Sequence, residues 1–305
     1  MNQWPTASAA SVVRVLRHIE PNVLTVEDVG QGNACAFRVD ERAPANLWID
    51  VGCPNNLNAS TKPKHLDLSV PQSHAPVFLT HWDVDHWRGA KDGVPAANAT
   101  TFFRRTWIVP RQDLNATHIK FATMILAHGG KILVLDATSA GATFPLKFAV
   151  RGGCLAEIAL GNGPDVTDRN NNACLVLRVT NIGQGKRKRW LLPGDVSYEY
   201  MPVPWQAAPC AAIVASHHGA DVEPMNVPPP WGKGALLAFS FGPGNIYKHP
   251  KSTMVNYYHS MGWHLDTWLS PQTAGDLVLF PPSEATAQHD PSPKGAHLGK
   301  IVIRW

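Results

Sequence analysis

No apolar run in this 305-residue chain is long enough to cross a bilayer as a helix, so no membrane span is expected. The opening residues, Met1-Asn2-Gln3-Trp4-Pro5-Thr6, lack a basic stretch followed by an apolar one. That argues against a secretory leader, and a cytoplasmic location is the expectation. Cysteine is scarce: Cys35, Cys53, Cys154, Cys174 and Cys210 are odd in number, dispersed, and free of any CxxC pair. Buried free thiols are expected rather than a disulfide framework. There is no internal repeat, no low-complexity tract and no Pro/Ser linker between two halves, so a single domain over 1–305 is expected.

What is present suits a large buried core, with 44% hydrophobic and 16% charged residues. The formal charge of +4 is mildly basic, compatible with a polyanionic partner without requiring one. Its sharpest cluster, Lys186-Arg187-Lys188-Arg189, falls between two strand-like runs. It reads as a solvated hairpin tip in preference to a phosphate contact.

Short β-rich runs dominate the chain. They cover Val12 to Leu16, Val23 to Glu27, Ala34 to Val39, Asn46 to Asp50, Pro76 to Leu79 and Phe102 to Val109. Further on come Lys131 to Leu135, Leu146 to Val150, Leu155 to Leu160, Cys174 to Val179, Trp190 to Leu192, Ala211 to Ala215, Leu236 to Phe241, Leu277 to Phe280 and Ile301 to Trp305. Helical spacing is confined to Asn115 to His128, stopped by Gly129-Gly130, and to Ser252 to Met261. Pro54 to Pro71, Gly161 to Asn172 and Pro224 to Gly234 read as irregular, and the polar Pro281 to Gly299 as mobile. Many short strands with a few helices predict a mixed α/β sandwich.

The chemistry concentrates in Leu79-Thr80-His81-Trp82-Asp83-Val84-Asp85-His86-Trp87-Arg88-Gly89. Two histidines and two aspartates fall within six residues, directly after an apolar run. Imidazoles and carboxylates are the usual ligands of zinc- and manganese-type ions. An extended backbone would turn His81, Asp83 and Asp85 to one side and Trp82 and Val84 to the other. Four other strand ends carry matching groups. Asp195 after Trp190-Leu191-Leu192 can bridge two ions. His217-His218 after Ala211 to Ala215 adds an imidazole. Asn245, Tyr247, Lys248 and His249 offer an amide, a phenol, an ammonium and an imidazole to a substrate. Asp50 can orient a ligating imidazole from behind. The remaining histidines have no ligand spacing and are expected to be ordinary polar residues, while Trp82 and Trp87 are expected to wall the pocket.

His81-x-Asp83-x-Asp85-His86 resembles the HxHxDH signature of the metallo-β-lactamase superfamily, with aspartate at the second histidine. Six segments follow one another as in the metallo-hydrolase domain of ComEC-type DNA-uptake proteins and their free-standing relatives. They are Asp28-Val29-Gly30-Gln31-Gly32, Trp48-Ile49-Asp50-Val51-Gly52, Thr80 to Gly89, Leu191 to Val196, His217-His218-Gly219 and Tyr247-x-His249-Pro250. The resemblance covers about residues 23 to 280. It implies a four-layer αβ/βα sandwich with metals at one edge of two sheets. It implies two divalent ions, zinc or manganese. His81, Asp83 and Asp195 match one site, and Asp85, His86, Asp195 and His217 the other. The superfamily's further histidine is replaced by Asn170-Asn171-Asn172, which leaves the first site oxygen-rich. Asn33, Ala220 and Ala90 stand where the family usually has aspartate, serine and glycine.

The implied activity is hydrolysis by a metal-bound hydroxide, with a phosphodiester, and among phosphodiesters nucleic acid, as the expected substrate. Asp85 or Asp195 would orient the hydroxide, and His218 or His249 would protonate the leaving oxygen. Asn171, Asn245 and Lys248 would bind phosphate oxygens, with Tyr247 against the substrate. The alternatives are a hydrolase of a small phosphoester or other ester, and a non-catalytic binding module with a vestigial site.

Overall fold

Two seven-stranded sheets pack face to face. The computed structural model describes residues 4–64, 66–69, 74–163, 169–183, 187–222, 226–242, 244–263, 268–269, 278–279, 283–285 and 300–305. His65, Lys186, His264, His289, His297 and most of 281–299 lie outside the described residues.

The strands are β1 (Val23–Val26), β2 (Ala34–Arg38), β3 (Leu47–Val51), β4 (Val77–Phe78), β5 (Thr106–Pro110), β6 (Lys131–Leu135), β7 (Leu146–Val150) and β8 (Cys154–Leu160). They continue with β9 (Leu175–Asn181), β10 (Lys188–Leu192), β11 (Ala212–Val214), β12 (Leu236–Phe239), β13 (Trp268–Leu269), β14 (Val278–Leu279), β15 (Ser283–Ala285) and β16 (Ile301–Arg304). One sheet runs β16-β1-β2-β3-β4-β5-β6 and the other β15-β12-β11-β10-β9-β8-β7, while β13 and β14 form a separate pair. Each sheet is antiparallel in one half and parallel in the other.

Alternation explains the layering. Leu24, Phe37, Ile49 and Ile108 from the first sheet meet Ile158, Leu177, Trp190 and Val214 from the second in one shared core. The opposite face of the first sheet, with Trp48, Val77 and Trp107, is covered by Phe121 and Ile125 of helix Ala116–Ala127. The opposite face of the second, with Ile213, Leu237 and Phe239, is covered by Met254 and Tyr258 of helix Ser252–Ser260. The result is the expected α/β sandwich of four layers.

Three expectations for local structure change. Val12 to Leu16 is not a strand but the end of helix Ala9–Leu16. Ser8 caps it by accepting from Ser11 N, and Ala9, Val12 and Leu16 recur at helical spacing to reach the central core. Within Pro54 to Pro71, the turn of helix Asn56–Thr61 is capped by Asn55, whose side chain accepts from Leu57 N and Asn58 N. Phe102 and Phe103 precede β5 and pack as side chains on its outer face. The five cysteines are free and buried, as expected. No helix among the described residues is long and apolar enough to cross a membrane.

The metal loop is pressed against the end of β3. A Cβ at Gly52 would lie 1.9 Å from Asp85 O and 2.5 Å from Asn33 O, and one at Gly89 would lie 2.3 Å from Gly52 O. Gly52→Ala must therefore push the loop outward. We expect about 1–3 kcal/mol of destabilisation or more, read as a lowered unfolding midpoint.

Candidate metal centre

Strands β3, β4 and β5 are parallel neighbours, as are β10, β11 and β12, so within each sheet their C-terminal ends share an edge. The two edges are stitched together by Leu175 N, which donates to Thr80 O at 2.8 Å. Every candidate ligand leaves one of these strand ends.

Asp50, the penultimate residue of β3, has a φ of 57°, a left-handed conformation that breaks the strand's alternation. Its fully buried carboxylate accepts from Thr80 N at 2.7 Å, Thr80 Oγ1 at 2.8 Å, Asn33 Nδ2 at 2.9 Å and His86 Nδ1 at 2.7 Å. The last bond puts the His86 proton on Nδ1 and leaves Nε2 facing the site.

The histidine-aspartate loop is extended only as far as Asp83. A helical turn, Val84–Trp87, begins there. That turn parts the two aspartates, which an extended chain would have kept on one side. Asp83 Oδ2 lies 3.8 Å from His81 Nε2, whereas Asp85 Oδ2 lies 3.5 Å from His218 Nε2. Trp82 and Trp87 do not wall an open pocket. Both are buried behind the loop, their indole N–H groups donating to Pro110 O and Trp82 O.

Asp195 follows Gly194, whose φ of 62° and close approach to the Thr80 side chain require glycine. Around the Asp195 carboxylate stand His86 Nε2 at 3.1 Å, His81 Nε2 at 3.5 Å and His217 Nε2 at 3.6 Å. His217 and His218 both have positive φ, 49° and 57°, which splays consecutive imidazoles to 6.3 Å between centroids. His218 Nδ1 donates to Ser240 O at 2.7 Å, so its Nε2 also faces inward. Sequence reasoning grouped His217 with Asp85, His86 and Asp195. His217 does face Asp195, while the imidazole beside Asp85 and His86 is that of His218.

Two groups have ligand atoms within 4.8 Å of one another: His81, His86 and Asp195, and Asp85, His86 and His218. The nitrogens His81 Nε2, His86 Nε2 and His218 Nε2 are buried without a hydrogen-bond partner. Converging unpaired imidazole nitrogens beside carboxylates are costly unless a cation occupies the space between them. The donor set therefore fits a divalent metal.

Protonation without a cation tells the same story. Burial opposes ionisation of Asp195, but the charges of His86, His217 and His81 overcome it and hold the carboxyl well below its usual range. Burial likewise opposes ionisation of Asp85, yet the neighbouring His218 imidazole and the charge of His86 hold it down at about 2. Burial pushes His81 down, with His86 adding to it. Burial also works against charge on His86, but Asp195 and Asp50 on either side raise it well above the ordinary value.

Asn171 is buried in the helical turn Arg169–Asn172, within the segment expected to be irregular, and its carbonyl accepts from Cys174 Sγ. Asn245 is also buried, but its amide is spent on its own loop. Nδ2 donates to Gly242 O and His249 O, and Oδ1 accepts from His249 N. It braces His249, whose ring lies 5.6 Å from that of His217. Burial, with His218 and His217 nearby, pushes His249 down to about 3, and its Nδ1 is buried without a partner. Tyr247 lies 5.6 Å from His249 between centroids, and Lys248 is exposed.

Sequence reasoning missed Gln112. Its Oε1 accepts from Trp82 N at 3.0 Å and its Nε2 donates to Ala173 O at 3.2 Å, bracing the metal loop against the start of β9. No pattern in the sequence marks it. The histidines expected to be ordinary include His118, which caps a helix, and His128, bonded to Met124 O. The basic cluster leads into the N-terminal end of β10, whereas Asp195 follows its C-terminal end. Lys188 and Arg189 are themselves the first residues of that strand and pair antiparallel with β9, in keeping with the hairpin reading.

No family model and no curated protein matches the chain. Solved structures similar to it include the metallo-β-lactamase fold protein YhfI from Bacillus subtilis. That match is 14% identical over 63% of this chain and 70% of that one, with a TM-score of 0.36. Human tRNase Z, short form, is 11% identical over 63% and 76%, with a TM-score of 0.37. Unliganded yeast PDE1 is 10% identical over 79% and 83%, with a TM-score of 0.37.

Asp50→Asn turns one carboxylate oxygen that accepts from imidazole and hydroxyl into an amide. We expect affinity for zinc or manganese to fall about 10–100-fold, measured by competition with a chromogenic chelator, with the fold retained by circular dichroism.

Proposed function

We infer that this chain is a metal-dependent hydrolase of the metallo-β-lactamase type acting on a phosphodiester. The observation that carries the reading is the buried Asp195 carboxylate ringed by His81, His86 and His217, beside Asp85 and His218. His81, Asp83 and Asp195, with His217 at the margin, would hold one ion. Asp85, His86 and His218, with Asp195 between the sites, would hold the other. Imidazole-rich donors suit zinc, and the extra carboxylates also suit manganese. When bound, such ions supply Lewis acidity towards the phosphoryl oxygens and a nucleophile at neutral pH.

The chain's own residues supply the rest. Exposed Lys248 and buried Asn171 bind and orient phosphate oxygens. His249, neutral at neutral pH, would take up at Nδ1 the proton released by the attacking water and return one to the departing oxygen. His218 is less suited to that task, because Ser240 O takes its Nδ1 proton and Asp85 faces its Nε2. The choice of nucleic acid among phosphodiesters rests on the ComEC-type motif order alone. The presence of all seven proposed ligands speaks against a vestigial binding module.

The test uses purified protein with zinc or manganese on single-stranded DNA, double-stranded DNA, RNA and bis-p-nitrophenyl phosphate. A chelator should abolish hydrolysis and added metal restore it. Asp85→Ala should lose about a hundredfold or more, because removing a direct ligand costs at least what an outer-shell loss does. Wild-type rates in that variant would sink the mechanism, and cleavage of the small ester alone would remove nucleic acid as substrate.

A further inference from the structure

Seven large hydrophobic side chains are exposed among the described residues, and two of them belong to one seam beside the metal centre. Leu57 is 69% exposed and Ile246 is 54% exposed. Leu57 lies in the helical turn Asn56–Thr61 and Ile246 in the loop that carries Tyr247, Lys248 and His249. The two segments are about 190 residues apart in the chain, yet they are joined by two hydrogen bonds. Asn55 Nδ2 donates to Tyr247 Oη at 2.9 Å, and Ile246 N donates to Asn58 Oδ1 at 2.8 Å.

The seam is anchored to the catalytic edge from three sides. Arg88, from the end of the turn that bears Asp85 and His86, donates from Nη1 to Asn56 Oδ1 at 2.7 Å. Gln31 N donates to Thr61 Oγ1 at 2.9 Å. The Tyr247 ring stands 5.6 Å from His249, whose buried Nδ1 has no partner. The hydroxyl of the half-buried Tyr247 ring is tethered to Asn55, and the exposed Ile246 and Lys248 flank Tyr247 in the chain.

A tethered aromatic face with aliphatic neighbours and an adjacent cation matches an anionic ester that carries a flat, apolar-faced ring. We propose that the seam of Leu57, Ile246 and Tyr247 is the subsite for a nucleobase carried by the phosphodiester. The subsite rests on the hydrolase reading above, and it narrows that reading from phosphodiesters in general to those bearing a base next to the scissile phosphate. Two exposed aliphatic side chains on segments tied together beside the centre form a surface that a bound apolar group would cover.

The test compares two esters with the same leaving group, thymidine 5′-p-nitrophenyl phosphate and methyl p-nitrophenyl phosphate, on the metal-loaded full chain. The thymidine ester should be preferred about tenfold or more in kcat/KM, the effect of covering roughly 55 Å² of apolar surface. In L57S/I246S that preference should shrink towards unity through KM. Both side chains are exposed, so an unfolding midpoint equal to wild type is the fold control. An unchanged preference in the variant would overturn the subsite. Failure of wild type to hydrolyse either ester would overturn the hydrolase reading instead. The subsite is then judged by titration calorimetry with thymidine 5′-monophosphate and methyl phosphate. Tighter binding of the nucleotide by wild type, lost in the variant, supports it, and equal binding by both proteins overturns it.

Discussion

The Asp50 carboxylate is the interaction on which the metal centre depends. It sits where β3 ends, fully buried, and takes four hydrogen bonds from three residues on two loops. Thr80 supplies two of them and so is held at the start of the metal loop. His86 supplies another and so has its outward nitrogen committed to the site. Asn33 supplies the fourth from the loop before β2, and its backbone N–H also holds Asp85 O at 3.0 Å. An acceptor this buried is stable only with all its donors present, so the loop geometry and the tautomer of His86 are set together.

Strain collects at the same edge. The described residues with positive φ other than glycine are Asp50, His217, His218 and Lys248, and all four are in or beside the centre. Such conformations cost about 1–3 kcal/mol each. They persist because the flanking strands and hydrogen bonds over-determine them. At His217 and His218 the return is clear: two adjacent imidazoles reach two different carboxylates, which a strand or helix would not permit. At Asp50 the left-handed turn aims a carboxylate into the sheet end and drops Val51 onto the outer face with Trp48.

The sandwich makes this arrangement possible through its parallel halves. Parallel strands bring successive C-terminal ends to one edge, so loops distant in sequence become neighbours there. Gln112 and Leu175 then bridge the two sheets across the gap, one by its side-chain amide and one by its backbone. The same logic joins the turn after β3 to the loop after β12, although neither segment signals the other in sequence.

Much of the fold was legible in the sequence, because strand alternation and helix spacing are local. Most strands and the two long helices emerged within a residue or two. The error at Val12 to Leu16 came from a β-branched run whose Ser8 cap and core contacts outweighed its strand propensity. The residue types of the candidate site were also legible, since histidines and aspartates at strand ends announce their chemistry wherever they stand. Which imidazole faces which carboxylate was not. That depends on φ at His217 and His218, on the helical turn that parts Asp83 from Asp85, and on Ser240 O and Asp50 fixing ring tautomers. The commitment of Asn245 to its own loop, the bracing by Gln112 and the Asn55–Tyr247 seam likewise exist only once the two sheets have met. The sequence by itself determined which groups are present and near which strand ends. Tertiary structure alone decided their partners, because hydrogen bonds between segments 188 and 192 residues apart have no local signature.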